Sequence, residues 1–167
     1  MFNEKIPITK EKKIAFNGIF DIREIYNYLK DYLEKSLHYD TTEKELIETN
    51  QKGTRKIDSH YEAELQYNDY FKIILKYRLE ASGKEITIEH NGKNLTLTQG
   101  AISLKTNSYI ELDWQNKRSR SPFSKFLDQI YSKYIGKKEV EECARKNSSD
   151  VANFIKEFKK LTNIYVK

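Results

Sequence analysis

The chain has 167 residues, 38% of them hydrophobic and 33% charged, which suits a single domain with its own core and a heavily charged surface. Twelve tyrosines and eight phenylalanines against six glycines and two prolines exclude a disordered chain, and the net charge of +5 is compatible with an anionic partner without requiring one. A single cysteine, Cys143, excludes an internal disulfide framework; no apolar run is long enough for a signal peptide or a membrane span, so the expected location is cytoplasmic.

In chain order, "KKIAFNGIF" alternates Ile14, Phe16, Gly18 and Phe20 and reads as a strand. "DIREIYNYLKDYLEKSL" follows with Asp21 and Glu24 in capping-box positions. Ile22, Ile25, Tyr26, Leu29, Tyr32 and Leu33 then recur at helical spacing. "TEKELIE", with Thr42 and Glu45 as a second cap, predicts a short second helix.

From Tyr61 to Leu79 the odd positions are almost all apolar: Tyr61, Ala63, Leu65, Tyr67, Phe71, Ile73, Leu75, Tyr77 and Leu79, interrupted at Asp69. Period 2 over that length predicts two strands joined by a hairpin at Asn68-Asp69. Keeping both odd sets on one face requires a three-residue loop. Placed at 69–71 it sets Glu64 opposite Lys76 and Glu62 opposite Arg78; a loop at 68–70 is the alternative. Ser82-Gly83, Asn91-Gly92 and Gly100-Ala101 then predict two-residue turns, Asn91-Gly92 being the strongest because a type I′ turn needs positive φ twice. These turns pair Leu79 with Ile86, Tyr77 with Ile88, Ile88 with Leu95, Ile86 with Leu97, Thr87 with Thr96 and Leu97 with Leu104. A further loop near Asn107-Ser108 brings in Ile110, Leu112 and Trp114. The expectation is six antiparallel strands with every inward set on one face.

Ser121-Pro122 opens a helix carrying Phe123, Phe126, Leu127, Ile130 and Tyr134, which Gly136 can end. "KKEVEECARKNSS" predicts a short helix ending near Asn147-Ser148-Ser149, and Val151, Phe154, Ile155, Phe158 and Leu161 a last one. The whole is expected to be one α+β domain, residues 1–167. A meander sheet of about seven strands curves around the C-terminal helix, with two short helices after the first strand. This order resembles the helix-grip fold of the START-like (SRPBCC) superfamily. The resemblance rests on element order and hairpin spacing over nearly the whole chain, and the sequence lacks the Gly-rich loop of some members.

The resemblance implies a cavity between sheet and C-terminal helix that holds a lipid-like, apolar or amphipathic small molecule. The residues add a set of inward rings as candidate ligand contacts: Phe16, Tyr61, Tyr67, Phe71, Tyr77, Trp114 and Phe126, whose phenol groups would orient a ligand or find partners at the edge of a filled core. A second candidate is "WQNKRSRSPFSK", where Lys117, Arg118, Arg120 and Lys125 cluster at a helix N-terminus and could bind nucleic acid or another anionic partner. His38, His60 and His90 fall in separate segments without metal-site spacing, and Cys143 has no assigned base. Neither a catalytic nor a cofactor motif is visible, which favours a non-enzymatic binding protein; oligomeric state is left open.

Overall fold

The computed structural model describes residues 5–68, 71–112 and 136–165. Strand β1 (Lys5–Phe20) leads into helix α1 (Ile22–Asp31), which continues as a π turn over Tyr32–Ser36. Strands β2 (Asp40–Gln51), β3 (Thr54–Gln66), β4 (Phe71–His90) and β5 (Lys93–Leu112) follow, and helix α2 (Gly136–Thr162) comes last. The five strands form one antiparallel sheet in the order β1-β5-β4-β3-β2. Successive hairpins build β2 to β5, and β1 joins at the far edge beside β5. The fold is therefore α+β with an antiparallel sheet and a C-terminal helix, with five strands among the described residues in place of the seven expected.

Both helices cover one face of the sheet. Asp21 caps α1 by accepting from the backbone N–H groups of Arg23 and Glu24, and Ile22, Ile25, Leu29 and Leu33 are buried. The last turn widens because the Leu37 N–H reaches the Tyr32 carbonyl, at 3.1 Å. The opposing apolar rows are Phe71, Ile73, Leu75, Tyr77 and Leu79 on β4 and Ile102, Leu104 and Ile110 on β5. Helix α2 closes the layer with Cys143, Val151, Phe154, Phe158 and Leu161.

The second short helix is not formed. Residues 42–48 lie in β2, paired with β3 through a turn at Lys52-Gly53, whose φ values of 52° and 77° are those of a type I′ turn. β2 is an edge strand, exposed along nearly its whole length, so it carries none of the alternation that marks a half-buried strand. A bulge between Glu43 and Glu45 interrupts its pairing, a common protection for a sheet edge.

The Asn91-Gly92 turn forms as expected, at φ 52° and 76°, with Ile88 opposite Leu95, Ile86 opposite Leu97 and Thr87 opposite Thr96. The β3–β4 register is that of the 68–70 loop: Glu62 faces Lys76 and His60 faces Arg78, not the pairs set by a loop at 69–71. The turns at Ser82-Gly83, Gly100-Ala101 and Asn107-Ser108 do not exist. β4 and β5 run unbroken as one long hairpin, in which Gly83 stands opposite Gly100, Leu79 opposite Leu104 and Tyr77 opposite Thr106. Gly18 of β1 pairs with the same Gly100, so three glycines form a row across three strands. Past this row on β4 and β5 the buried apolar side chain is Leu97, on the other parity from Leu104 and Ile102. A turn and a change of buried face shift the apolar alternation in the same way, which is why the glycines imitate turns.

Helix α2 is also continuous where a break was expected; the preceding helix, expected from Ser121-Pro122 up to Gly136, lies outside the described residues. Gly136 is its first residue, and it passes through Asn147-Ser148-Ser149 without interruption. Asn147 would ordinarily compete for its own backbone. Here its amide is spent across the layer: Oδ1 accepts from the Ser108 hydroxyl at 2.5 Å and Nδ2 donates to the Tyr39 hydroxyl at 3.2 Å. Ser108 also bonds Thr9 at 2.7 Å, while Tyr39 donates to Asp150 at 2.9 Å. This buried polar chain ties α2 to β1, β5 and the segment before β2. The same face of α2 buries Cys143, and burial pushes its thiol up to about 12. The native protein should therefore leave an aromatic disulfide reagent at pH 8 essentially unreacted and release one thiol equivalent on unfolding; rapid reaction of the folded protein would contradict this burial.

Candidate functional site

Of the rings expected to contact a ligand, the fold brings two together. Tyr61 and Tyr77 stack with ring centroids 4.9 Å apart, and Phe154 meets Tyr77 edge-on at 5.1 Å. Tyr26 of α1 lies against Tyr61 at 5.8 Å and donates to Glu43 at 2.8 Å. Burial raises the phenol pKa of both Tyr61 and Tyr77, so both stay protonated and neutral across the physiological range. The hydroxyls of Tyr77 and Thr106, directly opposed on β4 and β5, are buried with no hydrogen-bond partner among the described residues. Phe71 is buried and Tyr67 half-buried at the β3–β4 turn, whereas half-buried Phe16 shares a row with Ile102 and Ala81. Ten residues of β4 separate Phe71 from that row, about 33 Å at strand rise. Trp114 and Phe126 lie outside the described residues, as do Lys117, Arg118, Arg120 and Lys125.

The opposite face of the sheet holds an open trough of about 550 Å³, within the range of small-molecule sites. All five strands contribute to it, Lys13 and Ala15 of one edge and Ile47 and Thr49 of the other bounding the same volume.

Register fixes which outward side chains stand side by side. One row runs Lys13, Lys105, Arg78, His60 and Glu45 from β1 to β2. The next runs Ala15, Ser103, Glu80, Asp58 and Ile47, and the third Asn17, Ala101, Ser82, Lys56 and Thr49. The second and third rows line the trough. Their β1, β5 and β4 positions are almost all short: Ala15, Ser103, Asn17, Ala101 and Ser82. A solvent-facing sheet is ordinarily covered by long polar side chains. Here short ones leave the floor low, and Ile47 stands 48% exposed at the rim.

The first row forms a ridge beside that floor. Arg78 donates to both carboxylate oxygens of Asp58, at 2.8 and 2.6 Å, and its Nε is 3.0 Å from Glu80. These hydrogen bonds hold the Asp58 carboxyl below the usual carboxylate range and the Arg78 guanidinium above its own. The His60 ring lies 3.2 Å from Asp58 and 4.0 Å from Glu45. A second hollow of about 390 Å³ lies on the far side of the ridge, lined by Lys44, Lys76 and Glu62 among others.

Sequence reasoning missed the trough because its floor mixes small apolar and small polar residues, whose common property is that they are short. Periodicity does not record that, and the five-strand register that aligns them follows only once the long β4–β5 hairpin is recognised. Among the described residues no group of His, Cys, Asp and Glu is placed to hold a metal ion, and no described helix is long and apolar enough to cross a membrane. No protein-family profile, no curated protein and no solved structure matches the chain.

Proposed function

We propose that the protein is a non-enzymatic binding protein whose ligand, a small amphipathic molecule, lies in the trough on the sheet face away from the helices. The observation that carries this is the patch of short side chains crossing β1, β5 and β4 in two adjacent rows, which leaves about 550 Å³ open on an otherwise charged surface. Ala15, Ala101 and the exposed Ile47 offer a flat body apolar contact, and Ser82, Ser103 and Asn17 offer hydrogen bonds around it. The site differs from the helix-grip expectation, which puts the ligand on the other side of the sheet.

The test uses N-phenyl-1-naphthylamine, a neutral aromatic probe whose fluorescence rises on leaving water. Saturable binding is expected, and Ala101→Phe, which fills the floor, should weaken it by about tenfold, equivalent to about 1.4 kcal/mol. The thermal midpoint of that variant should stay within about 2 °C of the parent, because residue 101 is exposed.

A second reading places the ligand between the sheet and α2, favoured by the opposed, unpartnered hydroxyls of Tyr77 and Thr106. Burying two such groups without partners is costly, and a ligand oxygen or an ordered water would satisfy them. In that case Tyr77→Phe weakens binding and Ala101→Phe does not. The trough reading expects the reverse.

A further inference from the structure

We infer that the trough's ligand carries an anionic group, held where β1 meets β5 by Lys13 and Lys105; this rests on the trough being the binding site. The inference comes from how the charges of the ridge cancel along its length. Four of its five members are basic or titratable as bases: Lys13, Lys105, Arg78 and His60. Toward β2 the ridge is compensated. Asp58 and Glu80 stand together in the next row, both bonded to Arg78, and His60 contacts Asp58 and Glu45. With three carboxylates facing Arg78 and His60, that end has no positive charge left to offer.

The β1–β5 end is different. Lys13 and Lys105 are direct cross-strand partners on the same face, an arrangement that is repulsive in the free protein. Lys13 has no carboxylate within 4.0 Å among the described residues, and Lys105 has only Glu11, at 3.7 Å, whose side chain is 67% exposed. A pair that loose, with one partner so open to water, contributes little. Lys13 borders the trough itself and Lys105 the hollow across the ridge, beside Glu11. Ala15 and Ser103, in the next row, are too short to stand between this end of the ridge and the trough floor.

These two lysines, cross-strand partners on the ridge that edges the floor, are relieved of their mutual repulsion by one anion lying between them at the trough's rim. The ligand class that fits is a carboxylate, sulfonate or phosphate on a flat apolar body. The body lies along Ala101 and Ile47 and the charge at Lys13 and Lys105. Lys56, in the third row on β3, gives a positive border on the opposite side.

The test compares two probes that share one ring system: 1-anilinonaphthalene-8-sulfonate, and N-phenyl-1-naphthylamine, which lacks the sulfonate. At low salt the sulfonate should bind the folded protein about tenfold more tightly, and that preference should shrink as salt is raised. Lys13→Gln and Lys105→Gln should each weaken the sulfonate by roughly three- to fivefold, the size of a partly exposed charge contact. Both variants should weaken the neutral probe by less than about twofold, well below their effect on the sulfonate, and the double variant should bind the two probes almost equally. Equal affinities in the parent protein, or a sulfonate preference that survives in the double variant, would overturn the assignment of the anion while leaving the trough standing. If neither probe binds, or if Ala101→Phe affects neither, the trough reading itself falls and the anion with it. Thermal unfolding of each variant confirms that folded proteins are being compared.

Discussion

Gly100→Ala should destabilise the protein by about 3 kcal/mol or more, the upper part of the range for forcing atoms into a closed space. A Cβ at residue 100 would lie 2.0 Å from the Ser82 carbonyl oxygen and 2.6 Å from the Gly83 Cα. Both are backbone atoms of the neighbouring strand, so no side-chain rotation relieves the contact and β4 must move away from β5. Gly100 pairs with Gly18 on its other side as well, and a displacement there propagates to β1. For a chain of this size the cost corresponds to a fall of about 6–12 °C in Tm. Gly92→Ala is the matched control. Its added Cβ meets nothing within 4 Å, and its cost, from φ +76° alone, should be the smaller. Equal midpoints for Gly100→Ala and the parent protein would show that the strands do not approach as closely as described.

Phe154→Ala should cost about 3–5 kcal/mol, the usual loss for removing a fully buried ring. Phe154 has no exposed surface and stands edge-on to Tyr77, which in turn stacks on Tyr61. The cavity would open at the centre of the sheet–helix layer, flanked by strands that cannot collapse into it without breaking their ladders. Phe154→Leu retains most of the volume and loses mainly the ring–ring geometry, so it should cost about 1–2 kcal/mol. Denaturant unfolding of both variants measures the ratio. If the alanine variant loses less than the leucine variant, Phe154 does not fill the space assigned to it.

What could be read from the sequence follows from how locally each feature is encoded. Asn91-Gly92 fixes its own turn through two positive φ angles, and the pairs Ile88–Leu95 and Ile86–Leu97 follow by counting outward. The apolar stripe Ile22, Ile25, Leu29 and Leu33 defines α1 in the same local way, and Asp21 marks its start. β2 failed because an edge strand with one neighbour and no buried row has no pattern to show, while Thr42 and Glu45 imitate a cap. Gly83 and Gly100 failed for another reason: each looks like a turn alone, and only their pairing with each other, seventeen residues apart in sequence, reveals a close approach between strands. Asn147-Ser148-Ser149 looks like a helix end because the partners that satisfy Asn147, Ser108 and Tyr39, are distant in sequence. Of the ring set, the burial of Tyr61, Phe71 and Tyr77 was legible residue by residue. The set's spread along the sheet depends on strand length, which the false turns concealed. The trough was least legible, because it is defined by short side chains in rows that cross strands.

The buried polar chain through Asn147 acts as a check on how α2 docks. The stripe of Cys143, Val151, Phe154 and Phe158 sees a sheet surface of similar apolar side chains, and such surfaces accept neighbouring alignments at modest cost. Advancing the helix by one residue turns each side chain by about 100° and would bring Lys146 or Ser148 into the place of Asn147. Neither carries an amide, which alone supplies a carbonyl oxygen to the Ser108 hydroxyl and an N–H to Tyr39 from one planar group. A misdocked helix would therefore leave buried donors and acceptors on β5 and Tyr39 unanswered, each costing about 1–3 kcal/mol. Oil-like contacts bring the helix to the sheet, and one amide decides which of the nearby alignments is kept.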